Sequence, residues 1–352
     1  MPVDDALRAF ENSLEFMVNK TKKPVTHLTV EYVGGEVSMI PIEHLKAIVE
    51  GVRVICRDKG IQSTDGVQTN LICSTKIIDE MYVLFEGRLG TSIDNHTGQR
   101  LLAGSSKKYQ TKLKKSQLHL LEQFRYQVPA VITIDKNNAE CITDEVSLAI
   151  TDRREIVLRP IFQGGSAITA IDDSALTQAL LSGFERWVLK TAVIIEPYYS
   201  LLMKRYQSLN PEATENEGYD ECSSYCSWQH DCTKKSMSIE PNGDLFVCQE
   251  LADHGFGRYG NALSQQYDEK TYDALSSRSE LLPQSCFKCH YFNDCQGGCM
   301  MHSIESGRGV YGLTPYCNTW KALFKAMDDI IFEQPTKIAK WIQVLRQYNE
   351  KR

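Results

Sequence analysis

Nine of the chain's twelve cysteines lie between Cys222 and Cys317. Over that stretch regular hydrophobic periodicity fades, and few apolar side chains remain to build a core. Cross-links must do the work that burial does elsewhere, and the compartment decides which kind. The N-terminus, MPVDDALRAFENS, has no basic region followed by an apolar one, so it does not read as a signal peptide. No uninterrupted apolar run approaches about 18 residues, so no transmembrane helix is expected. The expected location is the cytoplasm, where thiols stay reduced. Cysteines crowded into such a chain call for metal, not disulfides.

The spacing supports metal. Cys286 and Cys289 form a CxxC pair within CFKCHYFNDCQGGC, which continues to Cys295 and Cys299. Upstream, CSWQHDC joins Cys226 to Cys232, and NGDLFVC ends at Cys248. Eight thiolates and one spare suggest two four-cysteine sites. Structural zinc and iron–sulfur clusters both satisfy this spacing. In either case removing the metal is expected to unfold the region.

The rest of the chain is ordinary globular sequence. Its 352 residues suit about two domains. Hydrophobic residues make up 42% and charged residues 24%, enough for a real core. A net charge of -6 argues against nucleic acid as a partner. Helical spacing over 3–20 is followed by a β-branched run, THLTVEYV, that ends at Gly34. A second helix follows from Pro41, with Ile42, Leu45, Ile48, Val49, Val52 and Ile55 on one face. GVQTNLIC, RLGTSID, VPAVITID and EIVLRPIF read as further strands, with helical stretches between them and a largely helical segment over 173–206. Strand–helix alternation predicts parallel strands joined by helical crossovers. Ligands bind such sheets at the carboxyl ends of the strands, where Gly34-Gly35-Glu36, Ser92-Ile93-Asp94 and Gly164-Gly165 fall. The alternation begins with a helix. The expected division is 1–206, a polar linker at 207–221, the cysteine-rich region at 222–317, and C-terminal helices at 318–352 that carry Trp320, Leu323, Phe324 and Met327.

The whole cysteine pattern, Cys226-x5-Cys232-x15-Cys248 then Cys286-x2-Cys289-x5-Cys295-x3-Cys299 and Cys317, resembles the SPASM domain. The NGDLFVC turn and the GRYGNAL phrase behind it share that resemblance. SPASM domains extend radical SAM enzymes that mature peptides and proteins. The resemblance implies two auxiliary [4Fe–4S] clusters with interleaved ligands. Cys226, Cys232, Cys248 and Cys299 would hold one, and Cys286, Cys289, Cys295 and Cys317 the other, with Cys222 left over.

The first half then resembles the radical SAM fold, a partial (β/α)6 barrel, with its first strand absent. Gly34, Gly35 and Glu36 match the family's GGE motif, which holds the amino group of S-adenosylmethionine. Glycine permits close backbone approach, and a carboxylate accepts charge-assisted bonds from an ammonium. Val37 replaces a frequent proline. TSIDNHTGQR resembles the SxDG segment, so Ser92, Asp94 and Arg100 are implied to hold the cofactor's ribose and carboxylate. Asn95 stands where glycine is usual and is expected to imitate it in a left-handed turn. Thr69 and Asn70 match the third strand's TN segment, and LRPIFQGGSA the sixth strand.

One element of the resemblance is missing. The family's CxxxCxxC motif, which binds the catalytic cluster, does not occur. Outside the SPASM-like region stand Cys56, expected in the core of a helix face, Cys73, expected to close a strand, and Cys141. Two expectations compete. The chain is N-terminally truncated, with Met1 an internal methionine, or it is a degenerate paralogue acting as a peptide-binding or electron-transfer partner. A zinc-stabilised binding module is the third reading. Gln249 replaces an aspartate that serves as base in sulfatase maturases, and glutamine cannot take a proton; only Glu250 could substitute. His230, His254 and His290 have no assigned role. The expected activity is that of a radical SAM oxidoreductase or peptide maturase. Its partners would be a peptide or protein substrate and a reductant such as flavodoxin or ferredoxin, without nucleic acid or membrane.

Overall fold

The computed structural model describes residues 1–162, 170–211 and 231–350. The chain divides into two compact units: 1–93 with 98–129 and 232–276, and 94–97 with 130–231 and 277–352.

In the first unit, α1 (Val3–Thr21) precedes β1 (His27–Tyr32), α2 (Ile42–Asp58), β2 (Gln62–Gln68), α3 (Thr75–Leu84), β3 (Leu89–Ser92) and α4 (Ser106–Phe124). Strand order follows the sequence and both pairings are parallel, with Val30 opposite Asp65 and Val67 opposite Leu89. Hydroxyl caps start two of the helices: Ser74 accepts from the amide of Ile77, and Ser105 from that of Lys108.

The strands show which face of this sheet the helices cover. A parallel sheet covered on both faces reads as continuous apolar sequence, but here the strands alternate. Leu28, Val30 and Tyr32 pack with α1 and α2 residues such as Phe10, Leu14, Val49 and Val52. His27, Thr29 and Glu31 of β1, and Gln62 and Thr64 of β2, lie exposed on the other face, where the Thr29 and Thr64 hydroxyls stand 3.3 Å apart. One face meets helices and the other lines an open, polar lumen.

The second unit repeats the arrangement with β4 (Ala130–Ile134), α5 (Ile142–Asp152), β5 (Ile156–Pro160), α6 (Asp173–Trp187), β6 (Ile195–Glu196) and α7 (Tyr198–Leu209). Its strands are again parallel and in sequence order. Ala130, Ile132, Ile134, Ile156 and Leu158 are buried, while Val131, Thr133, Val157 and Arg159 are less so. Trp187 anchors the helical layer, donating to the Val193 carbonyl at 2.7 Å and meeting the Trp341 ring edge-on at 4.8 Å. The six strands form one parallel sheet in sequence order, as in a partial (β/α)6 barrel, and β6 is a strand beyond the five the sequence led one to expect.

Two strand expectations shift. The second strand, expected over GVQTNLIC, occupies Gln62–Gln68, and Thr69 onward is loop. Its first residues are polar because they face the lumen, so hydrophobic pattern alone misses them. Cys73 consequently lies in that loop and not at a strand end. The segment 173–206 is largely helical, as expected, in two helices: α6 ends at Trp187, β6 precedes Pro197, and α7 begins at Tyr198. Cys56 is fully buried in the core, as expected.

The cysteine-rich region contributes a four-stranded antiparallel sheet to the first unit: Ser238–Ile239, Asp244–Phe246, Gly260–Asn261 and Gln266–Tyr267. Phe16 of α1 stacks on Tyr267 at 4.4 Å and meets Tyr272 edge-on at 5.2 Å, which fixes that sheet against α1. In the second unit, short helices lead to two long ones, Cys317–Glu333 and Pro335–Glu350. No helix among the described residues is long and apolar enough to cross a membrane.

Candidate functional site

The carboxyl end of β1 is shaped by two glycines. Gly34 takes φ +117°, which side chains with a Cβ rarely adopt. No atom comes within 4 Å of where a Cβ would stand on either Gly34 or Gly35. The backbone here is bare and open above.

Glu36 follows, and its carboxylate is the hub of the site. Oε1 accepts from the Ser38 amide at 3.0 Å and from the Thr69 hydroxyl at 2.6 Å, and Oε2 accepts from the Asn70 amide at 2.9 Å. Partial burial pushes the Glu36 pKa up. The bonds from Thr69, Asn70 and Ser38 outweigh that, so it ends below the usual carboxylate range. Glu36 is therefore held as an anion. A carboxylate offers about four lone-pair sites, and three are filled from below. Val37 is buried in the core and pins the turn.

The loop after β2 presents Thr69 and Asn70 through its own bonds. The Leu71 amide donates to the Thr69 hydroxyl at 3.2 Å, and the Ile72 amide to Asn70 Oδ1 at 2.7 Å. Leu71, at φ 58°, is fully buried, and its carbonyl accepts from the Ser116 hydroxyl. At the end of β3, Ser92 Oγ accepts from Gln68 Nε2 at 3.1 Å. Ser38 and Gln68 carry no motif; their parts follow from turn direction and strand facing. Arg100 lies half-buried in coil.

Asp94 belongs to the second unit and closes its own turn, accepting from the Thr97 amide at 2.8 Å and hydroxyl at 2.6 Å. Asn95 is not left-handed, contrary to expectation. Its side chain instead donates to Glu145 Oε2 at 2.7 Å, and Gly98 takes the positive φ of this loop. Gly164-Gly165 falls outside the described residues.

The cysteine region has two parts. In the first unit, Cys232 opens the helix Cys232–Lys235 and Cys248 caps the helix Gln249–His254. The Ser236 hydroxyl reaches both the Cys232 and Val247 carbonyls, at 2.9 and 3.0 Å, and so fixes these two segments together. NGDLFVC and GRYGNAL meet there: Asp244 pairs with Arg258 at 2.6 Å and accepts from Asn261 at 2.9 Å. Gln249 donates to Asp253 on the surface. Cys222, Cys226 and His230 lie outside the described residues.

In the second unit, Cys299 caps the helix Met300–Glu305. Cys286, Cys289, Cys295 and Cys317 share one electrostatic neighbourhood. Burial pushes the Cys295 thiol up to about 12, and Cys317, Cys286 and Cys289 add like-charge repulsion. Cys286 and Cys317 are raised for the same reasons, burial first. Among the described residues, no three His, Cys, Asp or Glu side chains stand close enough to share one metal ion.

No family model matches the chain. No curated protein matches it either. Solved structures do. A histidine-tagged anSMEcpe with bound AdoMet is 15% identical, with a TM-score of 0.69 over 98% of this chain and 90% of that one. Native anSMEcpe with bound AdoMet and Cp18Cys peptide gives 15% and 0.69 over 98% and 92%. The complex with Kp18Cys peptide gives 15% and 0.67 over 99% and 91%. At this identity the likeness is one of fold.

Proposed function

We propose that the chain binds S-adenosylmethionine at the carboxyl ends of β1–β3 and belongs to the radical SAM/SPASM maturases, acting on a side chain of a peptide or protein. The observation that carries this reading is Glu36, held ionised beneath two open glycines with one acceptor site to spare. That is what an amino acid's ammonium requires. The fold likeness to proteins that hold AdoMet and a peptide supports it.

In this reading Gly34, Gly35 and Glu36 receive the cofactor's amino group, and Ser92, Asp94 and Arg100 orient its ribose and carboxylate. Bound beside a catalytic iron–sulfur cluster, whose CxxxCxxC ligands these 352 residues do not contain, S-adenosylmethionine would supply the radical chemistry that breaks an unactivated C–H bond. The chain's own share is to bind, orient and keep water from the reacting centre. Cys226, Cys232, Cys248 and Cys299 would hold one auxiliary [4Fe–4S] cluster, and Cys286, Cys289, Cys295 and Cys317 the second. A reductant such as flavodoxin or ferredoxin would supply electrons.

A second reading draws on one observation: these 352 residues contain no CxxxCxxC. A non-catalytic partner that binds the cofactor or a peptide needs none. Reductive cleavage of S-adenosylmethionine by this chain would exclude that partner role.

The binding claim has its own test, titration calorimetry with S-adenosylmethionine. The parent should bind, and Glu36→Gln should lose at least about tenfold, some 1.4 kcal/mol. An equal affinity for both would remove Glu36 from the site.

A further inference from the structure

Helix α4 of the first unit is basic, and nothing in the site described above uses its charge. Between Ser106 and Arg125 the sequence holds six cations and one acid, Glu122, in a chain whose net charge is -6. The inner side of the helix is ordinary: Tyr109, Leu113 and Leu120 are buried with Leu71, Ile78 and Val128. At about 3.6 residues per turn, the opposite side carries Lys107, Lys114, Leu118, Leu121 and Arg125 in one stripe. All five are exposed, Leu118 to 45% and Leu121 to 38%.

The fold does not ask for this charge. Other helices match their dipoles. α1 starts with Asp4 and Asp5 and ends with Lys20, α2 starts with Glu43 and ends with Arg57, and α5 starts with Asp144 and Glu145. α4 has no acid in its first turn and sets Lys107 and Lys108 there, against the positive end of the dipole. Lysines on other helices meet a carboxylate four residues on, as in Lys46–Glu50, Lys76–Glu80 and Lys325–Asp329. Lys108 meets Lys112 at that spacing, which is repulsive. Among the described residues, Lys107, Lys114 and Arg125 form no ion pair. The neighbouring acids of α3 are engaged, Asp79 with His119 at 2.6 Å and Glu80 with Lys76 at 3.8 Å. The charge of the stripe is left for a molecule outside the chain.

Two exposed leucines among unanswered cations have the anatomy of a protein docking surface, an apolar centre inside a charged rim. The stripe lies opposite the buried side of α4, so it looks away from the sheet and its lumen. A substrate has to enter the lumen; an electron donor does not. A lipid surface needs the broad apolar side of a helix, and that side of α4 is already in the core. We propose that the outer face of α4 docks an acidic electron-donor protein of the flavodoxin type, its carboxylates against Lys107, Lys114 and Arg125 and an apolar spot against Leu118 and Leu121. The identity of the partner rests on the reading above, in which the chain takes electrons from such a protein. The charge complementarity does not.

The test mixes the full chain with an oxidised acidic flavodoxin and follows binding by calorimetry at about 0.01 M and about 0.15 M salt, between which the screening length falls from about 30 Å to about 8 Å. The parent should bind at low salt and weaken at the higher. Lys107→Glu with Lys114→Glu should lose at least about tenfold. Lys337→Glu with Lys340→Glu, the same change of charge on the helix Pro335–Glu350, should bind as the parent does. Affinity for S-adenosylmethionine should be equal in all three. An acid at the first turn of α4 suits the dipole, so the α4 variant should unfold in urea no earlier than the parent. If it unfolds earlier, Lys107→Gln with Lys114→Gln carries the same comparison. Equal flavodoxin binding by the parent and the α4 variant overturns the proposal. So does an equal loss in both double variants, since net charge alone would then decide. A parent that binds S-adenosylmethionine but no flavodoxin at low salt overturns it too, and RNA or anionic vesicles held through α4 would then name the partner. A parent that binds flavodoxin through α4 but no S-adenosylmethionine sinks the maturase reading and leaves the docking surface standing.

Discussion

Glu36 and Gly34 are close parts of one device with separable costs. Gly34 holds a backbone conformation at φ +117° that other residues reach only under strain, of about 1–3 kcal/mol. No atom lies near its missing side chain, so a methyl group there meets strain and no clash. Gly34→Ala should therefore destabilise the chain by roughly 1–2 kcal/mol. Gly35→Ala, with φ outside the left-handed region and equal space, should cost far less. Urea midpoints of the two variants would separate them, and equal midpoints would contradict the strain argument. The sequence makes Gly34, Gly35 and Glu36 visible only through a motif. It does not reveal that Thr69, Asn70 and Ser38 supply the donors, because that depends on how two loops about 30 residues apart turn toward each other. Asn95 shows the converse. A residue suited to a left-handed turn is free to do something else once Glu145 stands within reach.

At the scale of elements, β2 is fastened to α2 by Asp65 and Arg53. The guanidinium grips the 5%-exposed carboxylate at 2.6 and 2.8 Å and also donates to the Leu84 carbonyl at 2.7 Å. Arg88 adds a bond to the Asp65 carbonyl. Removing one partner of such a pair leaves the other desolvated and unmatched. Asp65→Ala should cost about 2–4 kcal/mol, the lower end because Arg53 is 30% exposed and partly solvated. The paired change Asp65→Leu with Arg53→Met should recover part of that loss. A double-mutant cycle in urea checks both numbers, and additive losses would mean that the pair is not coupled. The same pair explains why β2 is hard to place from sequence. QSTD offers a strand no apolar alternation, since two residues face the lumen and the last is a carboxylate answered from a helix. The helices, by contrast, carry their periodicity and caps openly. β6 is hidden because two residues pairing with Ile156 and Val157 leave too short a pattern to read.

At the scale of the molecule, two buried titratable groups of the second unit oppose each other. Glu196 is 6% exposed; burial raises its pKa to about 7, against the lowering bonds from the Ser200 hydroxyl and amide. His302 is 3% exposed and stacks on Phe162 at 4.3 Å; burial, then Arg159, lower its pKa to about 3. A carboxyl with a raised pKa binds its proton more tightly when folded. Its stability is therefore whole below the unfolded value of about 4.5 and is lost as pH rises through 7. A histidine with a lowered pKa binds its proton more weakly when folded, so stability falls as pH drops from about 6.5 toward 3. Between about 4.5 and 6.5 the two slopes offset, giving a plateau with an acid flank set by His302. Glu196→Gln removes one slope only. The variant should match the parent near pH 4.5 and exceed it by about 3 kcal/mol at pH 8, from the rise between 4.5 and about 7. The first unit contains no tryptophan, and Trp187, Trp320 and Trp341 lie in the second. Urea melts followed by tryptophan fluorescence at pH 4.5 and pH 8 therefore report the unit that holds both groups. A variant no more stable than the parent at pH 8 would place the Glu196 proton elsewhere and leave the plateau without its cause.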